Sequence, residues 1–119
     1  MKLPTSERDL AALAVALAGP DAPLTRAERA LVRKASAPSP KHLQQLRRSI
    51  ARGDDPLGSA FCQLRSPELR REQGAVYTPR PIIDAMVKWA AGEDSPARIV
   101  DPGAGSGRFL FAAARAFPD

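Results

Sequence analysis

Apolar residues recur at helical spacing through most of the chain, and each recurring stretch is bounded by residues that start or stop helices. Leu10 to Ala18 follows Ser6-Glu7-Arg8-Asp9, a hydroxyl with acids in the first turn, and Gly19-Pro20 comes next, so a helix is expected over Glu7–Ala18. Thr25-Arg-Ala-Glu28 is a capping box for a second helix, with Leu24 placed for a hydrophobic staple and Pro38-Ser-Pro40 as its end. A third is expected from Ser39, with Pro40 at its first position, Leu43, Leu46 and Ile50 on one face, and Gly53 at its close. These three make a small bundle. Asp55-Pro56 starts a fourth short helix through Phe61 and Leu64, and Ser66-Pro67-Glu68 a single turn. Thr78, with its hydroxyl at the cap and Pro79 in the first turn, starts a longer helix through Ile82, Ile83, Met86, Val87 and Ala90 to Gly92.

The pattern then changes period. Ile99 and Val100 are β-branched, Asp101-Pro102 ends their run, Gly103, Gly105 and Gly107 alternate, and Arg108 to Phe117 is an Ala-rich helical stretch. The order is strand, acidic turn, glycine loop, helix. Glycines let the backbone lie against a ligand, and the helix behind them aims its free N–H groups at the same place. Arg108-Phe109 stands where a P-loop needs Lys-Ser or Lys-Thr, and the glycines read G-x-G-x-G, which fits the dinucleotide fingerprint poorly. A carboxylate at Asp101 repels a pyrophosphate but accepts hydrogen bonds from a cationic amino group.

Composition adds few constraints. With 44% apolar and 26% charged residues in 119, the chain has room for one small domain and no sign of global disorder. One cysteine, Cys62, and one histidine, His42, give no internal disulfide and no zinc set, so no metal is expected. Glu7 and Asp9 spoil the basic flank that a signal peptide needs, and no stretch reaches the roughly twenty apolar residues of a membrane span, which leaves a cytoplasmic address by default. The net charge of +5 is uneven: residues 1–72 hold thirteen Lys or Arg against eight acids, and the remainder balances. Arg47, Arg48 and Arg52 flank the apolar stripe of the third helix, where either solvent or DNA would be met.

Two motifs taken together carry a resemblance. Gly74-Ala-Val-Tyr77-Thr78-Pro79, followed by Asp101-Pro-Gly103-Ala-Gly105-Ser-Gly107, resembles motif X and motif I of the N6-adenine DNA methyltransferases, which are class I enzymes dependent on S-adenosylmethionine. The likeness covers residues 72–110. It implies that Asp101 and the glycine loop hold the methionine end of S-adenosylmethionine, Asp101 toward its ammonium, and that Tyr77 and Thr78 help to hold its carboxylate. It also implies DNA as partner and a restriction–modification or phage-defence setting. The implied fold is an α-rich N-terminal helical region, residues 1–65, followed by the start of an α/β Rossmann-like class I methyltransferase domain, residues 66–119.

Two family landmarks are not found. The acid that binds the ribose hydroxyls lies one strand further on, and the catalytic Asn-Pro-Pro or Asp-Pro-Pro with an aromatic has no counterpart here; the sequence contains no asparagine. A single strand cannot form a parallel sheet. The expectation is the cofactor-binding front of a larger enzyme, completed by a C-terminal part or a complementing subunit, with the 119 residues inactive alone. Two other readings stay open: a methyltransferase of RNA, protein or a small molecule, and a non-catalytic helical DNA-binding or regulatory module.

Overall fold

The computed structural model describes residues 4–93 and 95–118. Among these residues are seven helices: α1 (Glu7–Ala18), α2 (Arg26–Val32), α3 (Pro40–Ala51), α4 (Pro56–Leu64), α5 (Pro67–Glu72), α6 (Arg80–Ala91) and α7 (Arg108–Ala116). The chain divides between Leu69 and Arg70 into two compact units.

In the first unit the helix starts are those the sequence encodes. The Ser6 hydroxyl accepts the Asp9 amide at 3.2 Å, and the Thr25–Glu28 box is closed in both directions. Ser39 and Asp55 cap α3 and α4 by accepting the amides of His42 and Gly58. The end of α3 is a Schellman closure, with Gly53 donating to the Ile50 carbonyl at 2.8 Å and Asp54 to that of Ser49 at 3.1 Å. Against α1 pack α2, α3 and α4. The buried set is small: Ala12 and Leu13 from α1, Leu46 and Ser49 from α3, and Pro56, Gly58 and Ala60 from α4. Ser49 is satisfied by donating to Asp54 at 2.8 Å. His42 and Cys62 sit half-buried.

Three local expectations are corrected. First, α2 ends at Val32, well short of Pro38. A turn in which Ala35 donates to the Val32 carbonyl stops it, and no residue of α2 is buried to hold a longer helix. Second, the apolar staple is replaced: the residue facing Leu24 is Arg29, whose guanidinium donates to the Leu24 carbonyl at 2.9 and 3.2 Å. Third, no strand occurs among the described residues, and residues 98–100 have no regular structure. A strand exists only through its partner, and Val100, 70% exposed, has none to pair with among the described residues.

The second unit is a helix pair. Ile83 of α6 is buried with Ala112 and Ala113 of α7, small residues that allow close approach. Gly74 closes α5 with a Schellman pair, donating to the Arg71 carbonyl while Ala75 donates to that of Arg70. Among the described residues no helix is long and apolar enough to cross a membrane, and no group of three or more His, Cys, Asp or Glu could hold a metal ion.

Candidate functional site

The glycine loop is a folded object even without a sheet around it. Asp101 accepts the Gly103 amide on Oδ1 at 3.1 Å, Gly107 donates to the Ala104 carbonyl at 2.6 Å, and Gly105 and Gly107 take φ of 54° and 86°. Gly107 is the N-cap of α7 and no side chain caps that helix, so its first amides look onto the loop. A carboxylate has about four lone-pair sites, so the bond to Gly103 leaves Asp101 capacity for an ammonium.

Tyr77 and Thr78 come to this loop from the other motif. Both are half-buried and line, with Val76, Asp101, Gly103 and Ser106, a cleft of about 150 Å³. Arg108 closes it: its guanidinium lies 5.1 Å from the Tyr77 ring centre, and Nη1 donates to the Thr78 carbonyl at 3.1 Å. Sequence reasoning missed Arg108. The available signal was a cation at the first position of a helix, where acids are favoured.

Thr78 is not the cap that its hydroxyl suggests. The N-cap of α6 is Pro79, whose carbonyl accepts the amides of Ile82 and Ile83, and no side chain completes the cap. The Thr78 carbonyl is engaged by Arg108, and Pro81 has no N–H to offer. The start of α6 is therefore a poorer anion site than the start of α7, because the Ile82 amide turns back on the Pro79 carbonyl and Pro81 has no N–H.

The cleft is small against the 300 Å³ or so at the low end of ligand pockets, so it can take one end of a nucleoside-bearing cofactor and not the whole. The residue types fit a zwitterion: an acid, Asp101, and a guanidinium, Arg108, line the cleft beside the uncapped start of α7. A larger groove of about 740 Å³ lies between α6 and α7, bounded by Met86, Trp89, Ile99, Val100, Leu110 and Phe117. Its wall is mainly apolar, with Glu93, Arg98 and Asp101 also lining it.

Residues 54–119 match the family described as N-6 DNA Methylase. The chain belongs to that family. Methyltransferases of the family generally take their methyl group from S-adenosylmethionine. The chain is 43% identical over 124 aligned positions to the Type II methyltransferase M.XamI of Xanthomonas campestris pv. amaranthicola. That alignment takes in 96% of this chain and 22% of the relative, so the chain spans about a fifth of the length of the curated protein it matches. No solved structure matches it.

The three arginines expected to meet DNA are exposed, Arg47 and Arg48 on α3 and Arg52 at its C-cap. Arg47 reaches toward the Ala16 carbonyl at 3.4 Å and Arg52 lies 3.7 Å from Asp54, which leaves Arg48 without a partner among the described residues.

Proposed function

We propose that this N-6 DNA methylase chain is the cofactor-binding front of an enzyme that moves a methyl group from S-adenosylmethionine to adenine N6 in DNA, within a restriction–modification or phage-defence system. The observation that carries the reading is the meeting of the Tyr77–Thr78 segment and the Asp101–Gly107 loop on one cleft, joined by Arg108. When bound, S-adenosylmethionine supplies an electrophilic methyl on sulfur. The chain's own residues bind and orient it. Asp101 accepts the ammonium, the amides at the start of α7 receive the carboxylate, and Tyr77 and Thr78 wall the methionine end. Gly103, Gly105 and Gly107 let the loop backbone approach closely.

In this reading residues 1–65 are a helical region and residues 66–119 begin a Rossmann-like domain. Ile99 and Val100 are its first strand, and the apolar groove between α6 and α7 is the face on which the sheet is built. The docking site for the target base and the second cofactor acid are assigned to a C-terminal part or a complementing subunit. DNA is the partner, and Arg47, Arg48 and Arg52 are assigned to its backbone because the excess positive charge lies in the helical region.

The test is a heteronuclear NMR titration of the 119-residue chain with S-adenosylmethionine at millimolar concentration. Shifts confined to Tyr77, Thr78, Asp101 and the loop glycines are expected. If the cleft amides stay still while amides elsewhere move, or if none move, the cofactor assignment fails.

A further inference from the structure

Arg108 occupies a position that its own helix does not favour. A cation at the first residue of α7 opposes the helix dipole, and the first turn holds no acid to offset it. Two of its contacts lie about thirty residues back in the chain, on consecutive residues that line the same cleft: the face of Tyr77 and the carbonyl of Thr78. The Thr78 carbonyl is engaged by Nη1, the first helical hydrogen bonds of α6 are accepted by Pro79, and Tyr77-Thr78 lies outside the helix, lining the cleft with the loop.

We propose that Arg108 is a positioning residue, a clamp that fixes the distance between the Tyr77–Thr78 strap and the glycine loop and so sets the width of the cleft. Its planar guanidinium stacks and donates at once, and an ammonium on a flexible stem cannot do both in that geometry. The clamp is built into the ligand-free chain. Its consequence for S-adenosylmethionine rests on the proposed function above.

The experiment compares the 119-residue chain with Arg108→Lys, Arg108→Met, Tyr77→Phe and Tyr77→Leu by NMR, first without ligand. In the unsubstituted chain, ring current from Tyr77 moves the Arg108 side-chain protons upfield; Tyr77→Phe keeps that shift and Tyr77→Leu removes it. In Arg108→Lys and Arg108→Met, amide exchange at Val76, Tyr77, Thr78, Gly105 and Ser106 rises several-fold. Amides in the second half of α6 and in α7 hold their rates, because removing the misplaced charge does α7 no harm. Combining Tyr77→Leu with Arg108→Met adds nothing to either alone. Unchanged exchange in Arg108→Lys overturns the clamp. So does a rise spread equally over α6 and α7, which marks a merely structural role. Titration with S-adenosylmethionine is then read separately. Several-fold weaker binding in Arg108→Lys and native-like binding in Tyr77→Phe extend the clamp to the cofactor. Altered exchange in a chain whose cleft ignores the cofactor upholds the clamp and removes the cofactor reading.

Discussion

Gly103 and Gly107 are glycines for different reasons, and substitution separates them. Gly107 sits at φ 86°, and a Cβ there would meet the Phe111 ring at 3.4 Å, so Gly107→Ala is expected to cost about 1–2 kcal/mol of stability in the second unit. Gly103 has no such requirement: its nearest neighbour for a Cβ is the Asp101 carboxylate at 4.0 Å. Gly103→Ala should leave the thermal unfolding curve in place and weaken the cofactor shifts in the NMR titration; equal losses of stability in the two variants would contradict this. Asp101→Ala, measured in an enzyme that carries this segment, should lower affinity for S-adenosylmethionine by about 1.5–3 kcal/mol, the worth of a hydrogen bond to a charged group. Asp101→Asn is the control, since it keeps an acceptor for the Gly103 amide and loses the charge; an unchanged dissociation constant in both variants would remove the residue from the site. The acidic turn and the glycine loop were legible as a local feature because the bond and backbone angles that shape them lie within one loop. Arg108 was not, because its partners lie at Tyr77 and Thr78 and only folding brings them together.

At the scale of elements, the caps decide what the sequence discloses. The bounds of α1 and the starts of α3 and α4 follow from Ser6, Ser39 and Asp55 because each cap bonds an amide three residues ahead, a relation visible in sequence. The errors have different causes: α6 starts one residue late, since Pro81 has no N–H for the Thr78 hydroxyl to cap, and Ile99-Val100 has no strand beside it among the described residues. The tie between α1 and the end of α4 is also long-range. Glu7 accepts from Arg65, and this hydrogen bond holds the Glu7 carboxyl below the usual carboxylate range. The depressed value gives the sign. The pair's contribution is present above the unfolded-state pKa of glutamate and is lost as pH falls through the lower folded value. Urea unfolding should find Glu7→Gln less stable than the native chain at neutral pH and equal to it in acid. The difference should be small and should shrink with salt, since Glu7 is half exposed. A difference that persists unchanged into acid would assign the effect to packing.

At the scale of the whole molecule, the helical region carries the excess positive charge and the second unit carries the cleft proposed for the cofactor. If the helical region lies along DNA, replacing Arg47, Arg48 and Arg52 together with alanine should weaken duplex binding and reduce the log–log salt slope by roughly one for each phosphate no longer neutralised. Arg48 should account for most of it, because Arg47 and Arg52 already have intramolecular partners. An unchanged slope would make α3 a solvated face.

The remaining prediction concerns the 119-residue chain acting alone: it should transfer no methyl group to DNA and bind S-adenosylmethionine no better than millimolar. Its cleft of about 150 Å³ encloses only one end of such a ligand, so the adenosine half finds no wall. Between Val100 and Arg108 the loop is held by Asp101 and the Arg108 clamp and by no paired strand among the described residues, so further ordering on binding costs about 1–2 kcal/mol per residue fixed. No Asn-Pro-Pro or Asp-Pro-Pro is present to receive a base turned out of the duplex. Trp89 offers an internal readout because it is the only tryptophan, is 74% exposed and borders the apolar groove. Its emission should stay that of a solvated indole when S-adenosylmethionine is added, with no rise in thermal midpoint, whereas covering of the groove by protein should shift it to shorter wavelength. A thermal shift of several degrees at millimolar cofactor, or labelled methyl transferred to DNA by the purified chain, would contradict the prediction. Either result would require a second copy to complete the sheet and supply the missing wall.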